Sequence, residues 1–311
     1  MRYSKLKLWQ IGNETSYETS CFDKEEAIAH TIQFARAMRP VDASIKLIEW
    51  GDRGRDGKLW ARDMEKQAGE FIDLVAIHMM SQTPKRPETA LEGLRYQQDP
   101  ARAWDELLEL SDDVERRVVE IEQATQMPIA IKEGHLSLGA HNINPIQWLT
   151  AAYHARSLNI YQRHGARVRI ATAADLQGSR WTTTSVMTPT PRGRSYLMPA
   201  GSIAALFRKH NGTHGVAVRS APAGLDVAAG RAGDTLYLHV ANVLYYRAVE
   251  ASFPGTRGGR VIEIAPENLR SYVNQDQPDV FRPCETELKA ATWRFPAGSV
   301  SAVKLALSVE R

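Results

Sequence analysis

Apolar and polar positions follow two different periods along this chain, and the change between them divides it. From Leu6 to about Ala173, short apolar runs alternate with stretches of helical spacing. Leu6 to Ile11 predicts a first strand, stopped by Gly12. Asp23 with Glu26 three residues later has capping-box spacing, and Ile28, Ile32 and Ala35 then fall on one helical face. Ile45–Trp50 and Leu74–His78 predict the second and third strands, with a short helix from Leu59 to Ala68 between them. After a polar loop from Gln82 to Thr89, Trp104, Leu107, Val114, Val118 and Ile121 keep the register of one long helix. Met127-Pro128 ends it, and Ile129–Lys132 predicts strand four. Asn144-Pro145 is an N-cap followed by proline at the first helical position, opening a helix that runs to His164-Gly165. Val168–Ala173 predicts strand five.

Strands alternating with helices in this way make parallel βαβ units with the helices outside a buried sheet. Beyond the proline-rich connector Met187–Gly193 and a short helix over Ser202–Lys209, the period changes to that of strands. Val216–Arg219, Thr235–Val240, Leu244–Glu250, Arg260–Ile264, Leu288–Phe295 and Val300–Val309 predict an antiparallel β-sandwich. The expected organisation is a partial (β/α) barrel over residues 1–187, then a β-sandwich domain over 188–311 that includes the short leading helix.

Composition narrows the function classes. With 43% hydrophobic and 24% charged residues, the 311-residue chain has the balance of a globular protein. A formal net charge of +3 gives no argument for nucleic acid. Cys21 and Cys284 cannot build a disulfide framework, and no apolar run approaches the roughly 20 residues that cross a bilayer. The N-terminus lacks the apolar core of a signal peptide, so the expected location is the cytoplasm, with no membrane partner. Length becomes informative beside the pattern: a complete eight-stranded barrel takes about 250 residues. That leaves too little for a full barrel plus a sandwich, and five parallel strands do not close. The two edge strands need covering, by the sandwich, by another subunit or by both, and the symmetric solution is a homo-oligomer.

Polar residues just past the carboxyl ends of parallel barrel strands line the active-site face. Here those residues are Asn13 and Glu14 after the first strand, His78 after the third, and Glu133 and His135 after the fourth. Two glutamates leaving the same end of a sheet suit glycoside hydrolysis, one as acid/base and one as nucleophile. A separation of about 5–5.5 Å implies retention and a longer one inversion. The plain alternative is two solvated loop acids. Trp50 and Trp181, at strand ends, could stack on sugar rings, whereas Trp148 faces a helix core.

Trp9-Gln10-Ile11-Gly12-Asn13-Glu14 resembles the Trp-x-[Ile/Leu]-Gly-Asn-Glu acid/base motif of glycoside hydrolase family 51, the α-L-arabinofuranosidases. Ala130-Ile131-Lys132-Glu133-Gly134-His135 falls where that family's nucleophile strand lies, and Ile77-His78-Met79-Met80 resembles its His-Tyr-Tyr segment. Trp181 stands where an aromatic often stacks on the sugar, and a helix followed by an all-β domain is the family's layout. The resemblance implies Glu14 as general acid/base and Glu133 as nucleophile. It also implies that Asn13 bonds the hydroxyl next to the anomeric carbon and that His78 tunes the nucleophile. Met79 replaces the family's tyrosine, Lys132 replaces the usual Thr or acidic residue, and the family's first three strands have no counterpart.

The implied function is a retaining exo-glycoside hydrolase that needs no cofactor. It would remove terminal α-L-arabinofuranosyl, or related pentosyl or galactosyl, residues from oligosaccharides or plant polysaccharide fragments. The alternatives are a sugar-binding pseudo-enzyme and a hydrolase whose barrel another chain completes. Other motifs carry less. Gly51–Lys58 follows a strand but is one residue too long for a phosphate loop, and Leu59 replaces the Ser/Thr such a loop requires. Asp52, Asp56, Gly57 and Asp63 echo a calcium loop without its preceding helix or terminal glutamate. They read as an exposed turn.

Overall fold

A computed structural model of the chain describes residues 6–17, 22–139, 142–173, 175–179, 184–189 and 193–308. Strand β1 (Leu8–Ile11) pairs in parallel with β2 (Lys46–Trp50), with Ile11 opposite Glu49, and β2 pairs in parallel with β3 (Leu74–Gln82). β4 (Ile129–Ser137) and β5 (Val168–Ala173) extend the sheet in the order β1-β2-β3-β4-β5. This is the incomplete parallel barrel that the alternating pattern predicts, with β1 and β5 as its edges.

Helix α1 (Lys24–Met38) follows β1 and forms as its sequence requires. Asp23 accepts from the Glu26 backbone N–H at 2.8 Å, and the Glu26 carboxylate accepts from the Asp23 N–H at 3.1 Å. Such a reciprocal cap contributes about 1 kcal/mol. Helix α2 (Ala61–Ala68) begins two residues later than the sequence predicts. Helix α3 (Pro100–Ala124) starts with proline behind the Asp99 cap, whose carboxylate accepts from the Arg102 N–H at 3.0 Å. Its predicted stripe of Leu107, Val114, Val118 and Ile121 is buried. The helix predicted from Asn144 begins later, as α4 (Ala151–Arg163), after two 3-10 turns. Gln147 causes the delay: its backbone is extended at φ −97°, ψ 151°, and bridges to Tyr272.

Three short strands come next, β6 (Asp175–Gly178), β7 (Thr184–Met187) and β8 (Tyr196–Leu197), in a sheet of their own. Each is only two to four residues long, too short for a strand period to show in the sequence. Helix α5 (Pro199–Phe207) follows, then β9 (His214–Val216), β10 (Leu225–Ala232), β11 (Thr235–Asn242) and β12 (Val249–Ser252). β13 (Thr256–Ile264), β14 (Cys284–Leu288), β15 (Thr292–Phe295) and β16 (Val300–Leu307) end the described chain. Six of these strands form an antiparallel sheet in the order β14-β13-β16-β11-β10-β9, and β12 pairs with β15 in a two-stranded ribbon. Val240, Val261, Val303 and Leu305 from the sheet and Val249, Ala251 and Phe295 from the ribbon share one buried cluster, the interior of the predicted sandwich.

The chain folds as two compact units. One comprises Met1–Met79, Arg116–Gly134 and Ala166–Thr172; the other comprises Met80–Glu115, His135–Gly165 and Ala173–Arg311. Ile48, Trp50, Trp60, Leu74, Ala76 and Ala130 form a core cluster in the first.

Candidate active site

Three strand ends of the first unit build the site. β1 stops at Gly12, whose φ of +75° is the left-handed conformation glycine adopts without strain. Two residues on, Glu14 also has a positive φ, +53°, alone among the described non-glycine residues. Its carbonyl accepts from the Tyr17 N–H at 3.0 Å, closing the turn. A glutamate held there costs about 1 kcal/mol or more and persists only where its surroundings enforce it, as functional sites commonly do.

The turn brings Glu14 Oε1 to 2.9 Å from His78 Nδ1, and Glu133 Oε2 lies 3.6 Å from the same nitrogen. The donor atoms of Glu14, His78 and Glu133 all fall within 4.8 Å of one another. His78 is fully buried, whereas each carboxylate side chain is 32% exposed. The imidazole thus sits behind two carboxylates that a ligand can reach. Its Nε2 has no hydrogen-bond partner among the described residues. A buried N–H without an acceptor is rarer than an unused lone pair, which favours the ring proton on Nδ1, donated to Glu14. One nitrogen and two carboxylate oxygens could also ligate a cation. A glycosidase pair needs none.

Residues that the sequence did not single out for catalysis hold His78. Asp52, which the loop pattern placed in an exposed turn, is 3% exposed. Its Oδ2 accepts from the His78 backbone N–H at 3.1 Å and from the Tyr17 hydroxyl at 3.2 Å. Arg117 donates to the His78 carbonyl at 2.7 Å and lies 3.9 Å from Asp52. Burial, reinforced by the Asp52 charge, pushes the Tyr17 hydroxyl above its ordinary range, so Tyr17 remains a donor. The calcium-loop pattern had pointed to Asp52 for the wrong reason.

The remaining predicted residues fall in different places. Asn13 is exposed beside Glu14, and its Oδ1 accepts from Gln10 Nε2 at 3.3 Å. Trp50 is 0% exposed, which corrects its expected role as a sugar platform. Its Nε1 donates to Ser16 at 2.7 Å, and its ring meets His78 edge-on at 4.5 Å and Tyr17 at 5.3 Å. It backs the histidine and presents no free face. His135 belongs to the other unit, where its carbonyl accepts from the Tyr153 hydroxyl at 3.3 Å. Trp181 lies outside the described residues, as does Cys21. Trp148 is structural as expected: buried, it donates to the Gly298 carbonyl at 2.9 Å.

No family model and no curated protein matches the sequence. Solved structures do match the fold. An α-L-arabinofuranosidase from Thermotoga maritima, in complex with arabinose, aligns over 96% of this chain at 18% identity and a TM-score of 0.68. A family 51 arabinofuranosidase from Xanthomonas axonopodis pv. citri aligns over 97% at 16% identity and TM-score 0.74. A family 51 α-L-arabinofuranosidase from Bifidobacterium longum aligns over 97% at 16% identity and TM-score 0.75. The chain spans 66% of the first two and 67% of the third. The fold is therefore that of family 51 arabinofuranosidases, over about two thirds of their length, with an incomplete barrel and a sandwich.

Proposed function

We propose that this protein is a retaining exo-glycoside hydrolase that removes terminal α-L-arabinofuranosyl, or related pentosyl or galactosyl, residues from oligosaccharides or plant polysaccharide fragments. The observation that carries this reading is the approach of the two carboxylates: their facing oxygens lie within 4.8 Å, with His78 behind both. Retaining pairs stand about 5–5.5 Å apart, and inverting pairs need space for a water between them. Glu133 attacks the anomeric carbon while Glu14 protonates the departing oxygen. Glu14, now a carboxylate accepting from His78, then takes a proton from the water that releases the sugar. His78, anchored through its backbone by Asp52 and Arg117, keeps Glu14 aimed across the scissile bond. Two carboxylates suffice for this chemistry without a cofactor.

Hydrolysis of a nitrophenyl glycoside panel by the wild type, Glu14→Ala and Glu133→Ala tests it. The expected result is cleavage of the α-L-arabinofuranoside by the wild type and loss in both variants. Full activity in either variant would overturn the assignment. The partial span favours a second reading, a sugar-binding protein without turnover. It predicts sugar binding with no cleavage on the whole panel. We further propose that a homo-oligomer covers the edges β1 and β5. A stable monomer in sedimentation at micromolar concentration would contradict that.

A further inference from the structure

Glu49 is the acid the mechanism does not use. It lies on β2, opposite Ile11 of β1, and is 1% exposed. One carboxyl oxygen, Oε2, has no hydrogen-bond partner among the described residues. The other, Oε1, would lie 3.7 Å from a Cβ on Gly12, and Thr15 Oγ1 would lie 4.0 Å from the same point. Thr15 Oγ1 is itself buried, with no hydrogen-bond partner among the described residues. The buried Glu49 carboxyl thus lies against Gly12, at the start of the turn that holds Glu14 at φ +53°.

We propose that Glu49 is a positioning residue for Glu14: its carboxyl, enclosed against the Gly12–Thr15 turn, fixes the backbone from which Glu14 projects. The proposal rests on reading Glu14 as the acid/base only for what the turn is for; the enclosure itself is independent of that reading. Burial supports it: Glu49 is enclosed, and the Thr31 hydroxyl of α1 beside it also donates to the Ala27 carbonyl at 2.7 Å. Among the described residues, the groups beside Glu49 are Gly12 and Thr15 from the turn, Thr31 from α1, Ile11 and Val75 at the paired positions of β1 and β3, and the backbone N–H of Trp50. None of them is charged or titrates near neutral pH. Burial therefore pushes the Glu49 carboxyl up to about 8, against the smaller opposing pull of hydrogen bonds from the Trp50 backbone N–H and the Thr31 hydroxyl.

The sign of the effect follows. The folded carboxyl holds its proton more tightly than the unfolded one. The stability it contributes is complete below the ordinary glutamate range and falls as pH rises from there to about 8. Above about 8 the folded protein itself carries a charge against the turn, and Glu14 loses its placement.

The experiment labels glutamate carboxyls with carbon-13 and follows Glu14, assigned by its disappearance in Glu14→Gln, from pH 5 to 10. It compares the wild type with Glu49→Gln, and with Glu49→Met in case the glutamine variant does not fold. The expected result is an inflection of the Glu14 resonance near pH 8 in the wild type and none in either variant. In parallel, the ratio of wild-type to Glu49→Gln kcat/KM falls about tenfold between the acid plateau and one pH unit beyond that midpoint, since about one Glu49 carboxyl in eleven stays protonated there. An unmoved Glu14 resonance in the wild type, or the same inflection in the variants, overturns the proposal. If no protein cleaves any glycoside at any pH, the proposed function fails while the resonance still decides the role of Glu49.

Discussion

Buried polar groups occur at the ends of the parallel strands and inside the antiparallel sheet, and the two places use them oppositely. In the six-stranded sheet, Asn242 spends its amide on the carbonyls of Arg247, Phe295 and Pro296 at 2.8–3.1 Å, and its side-chain oxygen accepts from the Leu244 N–H. Glu263 accepts from Ser301 at 2.7 Å and from Trp293 at 3.4 Å. Those groups stitch backbone and strands together and leave little for a ligand. At the parallel strand ends, Asp52 and Arg117 are spent in the same way, but on the backbone of His78. What remains there are two carboxylates, each a third exposed, turned toward one another. A buried polar network makes a site when it serves groups that stay available, and a scaffold when it serves only itself.

The comparison predicts that removing an available group abolishes chemistry without unfolding the protein. Glu133→Gln should lower turnover of an arabinofuranoside by on the order of 10³-fold or more, with its thermal unfolding close to wild type. A fall of less than tenfold would place the nucleophile elsewhere. Asp52→Asn should come next. It keeps the shape but weakens the hold on His78, and misplacement of that kind costs about 10²-fold in kcat. Turnover equal to wild type would show that the His78 backbone needs no such anchor.

In the antiparallel sheet the balance should reverse. Leu305 is 0% exposed, and Leu305→Ala should cost roughly 2–5 kcal/mol of stability in denaturant unfolding. Turnover per folded molecule should change by less than a factor of two. A large loss of turnover with stability intact would contradict the division of roles. The smallest effect is a pH slope. His239, stacked on Phe207 at 4.0 Å, is pushed down to about 4 by burial. It folds uncharged, so acidification should remove stability as pH falls from about 6.5 toward 4, by up to about 3 kcal/mol. His239→Phe should flatten that slope; an unchanged slope would assign it to another group.

Much of this was legible in the sequence, because local rules wrote it. The Asp23–Glu26 cap and the apolar stripe of α3 need only neighbours along the chain, and both formed as their spacing requires. The Glu14 turn was marked by Gly12 and by a strand that ends on polar residues. What stayed hidden depends on distant partners. Asp52 serves His78 from 26 residues away, and nothing local separates it from a surface turn acid. Trp50 ends a strand, as a stacking platform would, but its burial is set by Ser16, Tyr17 and His78. β10, with the sequence Leu-Asp-Val-Ala-Ala-Gly-Arg-Ala, has weak strand propensity and forms because β9 and β11 flank it. A Cβ on Gly212 would meet the Arg231 nitrogen of that strand at 2.2 Å, a close approach that only the fold reveals.

The central claim is that Glu14 and Glu133 act as a retaining pair. Its most direct test is proton NMR of the first sugar released from nitrophenyl α-L-arabinofuranoside, before mutarotation. The account predicts the anomer with the substrate's configuration, formed by the wild type and lost in Glu133→Gln. Release of the opposite anomer, or no release while the sugar still binds, would contradict it.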